Sequence, residues 1–432
     1  MVDKAKIAYV TVGENLNADL LVRQVVGLLG DIKAKAEDLE ITVFSFQGVL
    51  TIYNHKKDNA ITKERLKNLG ISFFVIPNIC PWPIPNLSFK KTDVGWRPNG
   101  TWKKFAVLFF QLLSLPLMVF LRVFCGYKLF HCRSYPATSI AIFLKKFIPD
   151  TAVLFDPRSD YPEENVTAGI WGYKSKTFCF WKDAEKKFLK EADAVACIGP
   201  TYVDHYKRSL ESFSHFIAPN NVSCREFQRN LAHRNEIRTN FEITESERAY
   251  VYLGGMSNYG WHRPDFYLKF YDQLSKVTSN FKFIFLVPKH AAGIVADAFG
   301  SRKNVFIVSP ELDEVGKYLS AADFGMMFFH SSKIAVGTKI GEYMAASLPV
   351  VVNRNCIGAV ALIKTNQELG CVVDLGLGDL DFKDHFNEDD LNSQNKLLRS
   401  DDKICKFAKN YFDNERVADI YINQYRRLLD LV

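Results

Sequence analysis

The sequence predicts an α/β protein made of two parallel-sheet domains in tandem, facing a central cleft. Three observations point there. Short runs rich in β-branched and aromatic residues alternate with stretches of helical spacing along most of the chain. A length of 432 residues suits two domains of ordinary size. A polar stretch from Cys224 to Arg248 interrupts the alternation near the middle, after which it begins again. The expected limits are 1–222 for the first domain, 223–403 for the second and 404–432 for a helical tail.

In the first half, strands are expected at Ile7–Val12, Ile41–Phe46, Ile71–Ile76, Tyr127–Arg133, Thr151–Phe155 and Ala194–Ile198. Helical spacing falls between them, at Asp19–Leu29, Thr62–Leu69, Pro136–Phe147 and Lys176–Ala192. In such sheets ligands bind outside the carboxyl ends of the strands. Gly13 stands at the end of the first strand, where it reads as a tight turn or as a point of close approach to a ligand. The second half repeats the pattern with strands at Ala249–Leu253, Phe281–Val287, Asn304–Val308, Phe324–Phe329 and Val350–Val352.

Composition narrows the class. With 48% hydrophobic and 24% charged residues the chain is a folded globular protein, not a disordered one. The net charge of +7 is concentrated. Between Asn86 and Lys190 there are 17 Lys and Arg against 8 Asp and Glu, so an anionic partner is expected there. No nucleic-acid motif accompanies the charge, which leaves phosphates or acidic lipid. The nine cysteines are scattered and form no Cys-x-x-Cys pair, as expected of reduced thiols in a cytoplasmic protein. The N-terminus leads straight into a strand with no signal peptide, which also points to the cytoplasm.

Two segments bear on a membrane. Pro77–Lys104 is irregular and rich in Pro and Trp, and reads as a binding loop or interfacial segment. Phe105–Leu121 carries no charged residue. It reads as a core helix or as one lying in the plane of an anionic membrane. A span is disfavoured, because strands before and after it would then sit on opposite sides of the bilayer.

The stretch Ser331–Asn353 carries the most chemistry. A polar loop with Gly337 leads into a short helix, ended by Leu348-Pro349 and followed by a buried Val350-Val-Val strand. Lys339 and Glu342 are three apart and share a helix face. A helix start and a Lys suit phosphate, and a Glu suits ribose hydroxyls, so the pattern fits a nucleotide-sugar. The same spacing also fits a plain surface ion pair.

Thr338-Lys-Ile-Gly-Glu-Tyr-Met-Ala-Ala-Ser-Leu-Pro-Val-Val-Val352 resembles the Pro-Thr-Lys-x-x-Glu-Tyr-x-Ala-x-Gly-x-Pro-Val-Val signature of family 4 glycosyltransferases of the GT-B type. Ile217-Ala-Pro-Asn-Asn-Val-Ser to Phe227, Ala192-Asp-Ala-Val-Ala-Cys-Ile198, Leu154-Phe-Asp-Pro-Arg-Ser159 and Tyr252-Leu-Gly-Gly255 resemble further family motifs, in the family's order. The resemblance implies transfer of a sugar from a nucleotide-sugar to a glycan or lipid-linked acceptor, as in bacterial surface-polysaccharide synthesis. It implies retention of anomeric configuration, with no metal and no cofactor beyond the co-substrate. Acceptor binding belongs to the first domain and donor binding to the second, and the tail crosses back to the first. Gly13, Gly255, Arg263, Lys289, Gly337, Thr338, Lys339 and Glu342 are the expected donor residues.

Several positions depart from the pattern. Ile334 stands where many members have a second Glu, Ser347 and Asn221 replace common glycines, and Arg133 takes the place of a His near the sugar. Gly255 and Trp261 occupy the usual Arg and Lys spacings, which leaves Arg263 and Lys289 as substitutes. Arg133, Asp156, Arg158 and Glu163 are the expected catalytic set, with Asp160 and Glu164 as further carboxylates. His131 reads as a packed strand residue more than as a base, and His262 and His330 lie near the donor loops. A GT-B scaffold that binds without turnover, or a nucleotide-sugar epimerase on the same architecture, are the alternatives.

Overall fold

The computed structural model describes residues 4–78, 100–258, 261–375 and 401–430. The chain divides into one unit of Met1–Ala218 with Val417–Val432 and a second of Pro219–Arg416.

The first unit is built on a seven-stranded sheet in the order β3-β2-β1-β4-β5-β6-β7. The strands are β1 (Ala5–Val12), β2 (Leu39–Gly48), β3 (Ser72–Asn78), β4 (Tyr127–Arg133), β5 (Ala152–Asp156), β6 (Ala194–Cys197) and β7 (His215–Ile217). Every pairing is parallel. Alternate residues of β1 face opposite sides, as the period of two requires. Ile7 and Tyr9 join a core with Val25, Leu29 and the tail residues Tyr421, Ile422 and Tyr425. On the other face Phe46 meets Phe110 edge-on, at 5.8 Å between ring centroids. Phe110 lies on the helix Gly100–Val123, which makes the crossover from β3 to β4. The strands on either side of that helix share one sheet, so it does not pass through a bilayer.

The second unit repeats the design with six strands in the order β10-β9-β8-β11-β12-β13. They are β8 (Arg248–Leu253), β9 (Phe281–Leu286), β10 (Val305–Val308), β11 (Phe324–Met327), β12 (Val350–Asn353) and β13 (Gly370–Val373), again all parallel. The helix Thr338–Ala345 buries Ile340, Tyr343, Met344 and Ala345 against this sheet.

Some elements differ from the expectation. The short strands β7 and β13 are additional, too brief to show a period. The polar stretch 224–248 contains a helix, Leu231–Asn240, capped by Asn230, whose side chain accepts from the amides of Ala232 and His233. Its inner face buries one apolar residue, Ile237, and is held chiefly by charge: Arg234 and Arg238 donate to Asp323 at 2.8 and 3.2 Å. Hydrophobic periodicity is blind to such an anchor. The tail is two helices, Asp401–Tyr411 and Asn414–Leu429. Ile404, Ala408 and Phe412 belong to the core of the second unit, and only from Val417 onward does the chain join the first. The Pro- and Trp-rich segment lies outside the described residues for 79–99, and its last residues begin the Gly100–Val123 helix.

Ser347 holds φ at +60° directly after the Thr338–Ala345 helix. A left-handed residue there lets the chain turn into β12, and a Cβ makes that conformation costly. The Ser347→Gly variant is expected to gain about 0.5–1 kcal/mol in chemical denaturation, once the extra flexibility of glycine in the unfolded chain is offset. A loss of stability would show that the Ser347 side chain contributes more than its backbone costs.

Candidate functional site

In each sheet one pair of adjacent strands is joined out of sequence order, β1 with β4 and β8 with β11. Crossovers leave such a pair in opposite directions, so a crevice opens at its carboxyl end.

In the second unit the β8–β11 ladder pairs only Tyr250 with Phe324 and Val251 with Gly325. Beyond it the Tyr343 hydroxyl bridges the parted strands, accepting from the Leu253 amide at 2.8 Å and donating to the Met326 carbonyl at 3.2 Å. The Tyr343 ring fits because residue 325 is glycine: a Cβ there would lie 2.3 Å from the ring. The Thr338–Ala345 helix is thereby fixed with its first turn over the crevice. Gly337 is its N-cap residue and has no side-chain oxygen to cap it. Asn220 of the motif at 217–222 donates to the Val336 carbonyl at 3.0 Å and holds the loop before that turn.

Lys339 lies across the end of β8. Gly254 has φ of +113°, which favours glycine, and a Cβ there would come within 2.4 Å of Lys339 Cε and make that side chain shift. Lys339 Nζ donates to His262 Nε2 at 2.9 Å and lies 5.2 Å from the centre of the Tyr252 ring. Burial lowers the Lys339 ammonium to about 8, although Glu342 pulls it upward. Burial, and then the Lys339 charge, hold His262 well below its ordinary value, so His262 is neutral and accepts at Nε2. Glu342 is buried to 6% exposure one turn further along the helix. Gly255 accepts at its carbonyl from the Tyr252 hydroxyl. Arg263 precedes the helix Pro264–Val277, and Lys289 is exposed at the start of Lys289–Phe299, after the neighbouring strand β9. Lys333 is buried, with Nζ 3.9 Å from the centre of the Trp261 ring. His330 faces Asp265 at 3.7 Å.

In the first unit the β1–β4 ladder ends at Val10 and Cys132, and Gly13 follows β1 in a left-handed turn with φ of +73°. Arg133 Nε donates to both carboxylate oxygens of Glu14 at 3.0 Å. Beside this pair lies a buried network. Asp156 Oδ2 accepts from Arg158 Nε at 2.8 Å, His131 Nε2 at 3.0 Å and the Tyr421 hydroxyl at 3.1 Å. The second His131 nitrogen accepts from Tyr425 at 2.6 Å. Burial pushes the Asp156 carboxyl up, but Arg158 and His131 outweigh it and hold it well below the usual carboxylate range. Burial likewise keeps His131 neutral despite Asp156. Asp156 is therefore an anchor for the tail and a weak proton acceptor. Ser134 and Arg158 both have left-handed backbones, with φ of +70° and +56°, so strain gathers at the ends of β4 and β5. Tyr9 Oη, Thr11 Oγ1, Arg133 Nη1 and Arg158 Nη1 are buried here without a protein partner.

Glu163 is placed elsewhere in this unit, paired with Lys182 at 2.9 Å. Glu163, Glu185 and His205 bring their ligand atoms within 4.8 Å of one another, a grouping that sequence spacing does not reveal. Lys182 bonds both carboxylates, so an ammonium already occupies the place a cation would take. Asp160 is buried, and Glu164 partly so.

The structure thus brings Gly255, Gly337, Thr338, Lys339 and Glu342 to one crevice, and Arg133, Asp156 and Arg158 with Gly13 to another. Arg263 and Lys289 start the helices that follow β8 and its neighbour β9, and Glu163 stands apart from both crevices. Gly254, Gly325 and Tyr343 also shape the second-unit crevice and are not among the expected site residues, and His262, expected near the donor loops, is the partner of Lys339. The sequence signal for Gly254 is the Gly-Gly pair that follows β8.

No protein-family model and no curated protein matches the chain. Solved structures do. Sucrose-phosphate synthase from Thermosynechococcus elongatus superposes with a TM-score of 0.63 at 15% identity, over 99% of this chain and 100% of that one. A glycosyltransferase from Rickettsia africae gives 0.64 at 13%, over 99% of each chain. Anabaena HepE in complex with UDP gives 0.63 at 13%, over 99% of this chain and 100% of that one. A putative UDP-N-acetylglucosamine 2-epimerase from Listeria monocytogenes is less similar, at 0.54 and 9%, over 99% of this chain and 97% of that one. The fold is that of the GT-B class.

Asp156→Asn removes the charge that Arg158 and His131 share in a buried setting. It is expected to destabilise the protein by about 3 kcal/mol or more in urea denaturation. A change below about 1 kcal/mol would mean that the network does not anchor the tail.

Proposed function

We propose that this protein is a glycosyltransferase of the family 4 type, which moves a sugar from a nucleotide-sugar to a glycan or lipid-linked acceptor in polysaccharide synthesis at the cytoplasmic side of a membrane. The observation that carries the reading is the β8–β11 crevice. There an uncapped helix N-terminus, the Lys339 ammonium and the Glu342 carboxylate lie within one turn of each other. A nucleoside diphosphate sugar needs that set: cationic groups for the diphosphate and a carboxylate for ribose hydroxyls. The fold neighbour in complex with UDP supports a uridine nucleotide as the carrier of the donor sugar.

During transfer positive charge grows on the sugar and negative charge on the departing diphosphate. Lys339 and the first-turn amides of its helix stabilise that leaving group, with Arg263 and Lys289 reaching in from the adjacent loops. No resident metal or cofactor is invoked, and the configuration at the sugar is retained. Arg133 and Arg158, each with one buried nitrogen not bonded to protein, serve the acceptor side. The acceptor proton leaves on the departing phosphate oxygen, because Asp156 is too weak a base and Glu163 is held by Lys182.

Glu342→Ala is expected to weaken binding of UDP-glucose or a related donor by about 10–100-fold in calorimetry, as loss of a buried charge-assisted hydrogen bond costs about 1.5–3 kcal/mol. Full affinity in the variant would remove the donor assignment. Transfer to lipid-linked acceptors from a panel of nucleotide-sugars tests the reaction itself. Release of free sugar or its epimer without an acceptor would favour the epimerase, and donor binding without turnover the scaffold.

The lowered Lys339 group adds a pH signature. Below about pH 8 the ammonium is present and holds the diphosphate; above it the free protein carries a neutral amine. Donor affinity should therefore fall as pH rises through 8, approaching about tenfold per unit because one proton is taken up on binding. Lys339→Ala should bind weakly with no such slope. A slope that survives in the variant would assign the titration to another group.

A further inference from the structure

The helix Gly100–Val123 is apolar on all sides, yet only one side of it is covered. Val107, Phe110, Ser114, Met118 and Leu121 are buried. Leu108, Phe109, Leu112, Leu113, Phe120 and Val123 are exposed, Leu112 at 51%. At 3.6 residues per turn the exposed set falls in one arc of roughly 140°, and the buried set in a separate arc opposite it. Phe124, at 76% exposure, and Phe147, at 59%, extend the apolar surface beyond the helix end. A continuous apolar face of this length is uncommon on a protein that meets only water. Among the described residues nothing covers it.

Charge says what does. Residues 100–150 hold 7 Lys and Arg and 1 acidic residue, Asp150, paired with Arg122; of the basic ones, Arg133 is buried on Glu14 and Lys145 is paired with Asp193. Lys128 is exposed just beyond the helix end. The helix Lys176–Glu191 packs beside it and presents Lys176, Lys186 and Lys190 to solvent. A protein partner of ordinary composition has no need of such a rim, whereas an acidic bilayer matches both parts. The helix is a crossover within one sheet, so it lies on the surface of the bilayer and does not span it.

We propose that the outward face of Gly100–Val123 docks in the plane of an anionic membrane. Its aliphatic and aromatic side chains enter the acyl boundary, and the flanking lysines meet the headgroups. The proposal stands apart from the donor site, and a failure of either leaves the other intact.

The test is co-sedimentation of the full chain with vesicles of equimolar phosphatidylglycerol and phosphatidylcholine, against pure phosphatidylcholine. UDP binding and circular dichroism are followed on the same samples. The wild type should sediment with the anionic vesicles and be released by salt. Phe109→Glu with Leu113→Glu should lower partitioning at least about tenfold, and so should Lys186→Glu with Lys190→Glu. All these side chains are exposed, so fold and UDP binding should not change. Wild-type protein left in the supernatant, or equal binding by the Glu variants, would overturn the proposal. So would a dimer in sedimentation velocity that is lost in Phe109→Glu with Leu113→Glu while no vesicles are bound, because the face would then belong to a second copy.

Discussion

The site in the second unit depends on one hydroxyl. Where β8 and β11 part, their ends leave backbone groups that must find partners in a buried place. Tyr343 supplies both: it accepts from one strand and donates to the other. Each bond contributes about 1 kcal/mol, but leaving either group unpaired costs more than that. The consequence is geometric. The ring can enter only because residue 325 lacks a Cβ, and once in place it fixes the rotation of its helix. Lys339 and Glu342 then have no freedom to face elsewhere.

The crevice in the first unit is held together differently. There the parted ends of β1 and β4 are spanned by an ion pair, Glu14 with Arg133, and the tail is secured by the buried Asp156. Removing charges from water is costly, so this arrangement persists only because every partner is present at once. Left-handed Ser134 and Arg158 belong to the same economy of position: their strain is borne by the network around them. A rigid polar end results, with four polar atoms still seeking partners.

Polar anchoring also explains where sequence reading fell short in the fold. Leu231–Asn240 carries no apolar stripe, and two arginines on Asp323 do the work that leucines do elsewhere. The Gly100–Val123 helix shows the converse. Its composition could not say which side is covered, since every side is apolar. The sheet decides it, by offering Phe46 as a partner to Phe110 and nothing to Leu112.

Local sequence determined most strands and helices and the two-unit layout, because apolar period and turn residues act over a few positions. It also determined that Lys339 and Glu342 share a helix face, which follows from helix geometry alone. Only the tertiary structure decided that this face closes over the end of β8, that Gly254 and not Gly255 makes room for Lys339, and that His262 is its partner. The same holds for Asp156, which looks in sequence like an available carboxylate. Three donors from β4, the loop after β5 and the far C-terminus converge on it. Arg158 is two positions from Asp156, but that both side chains are buried together with His131 and with Tyr421, 265 positions away, is set by the packed fold, and no local pattern registers it.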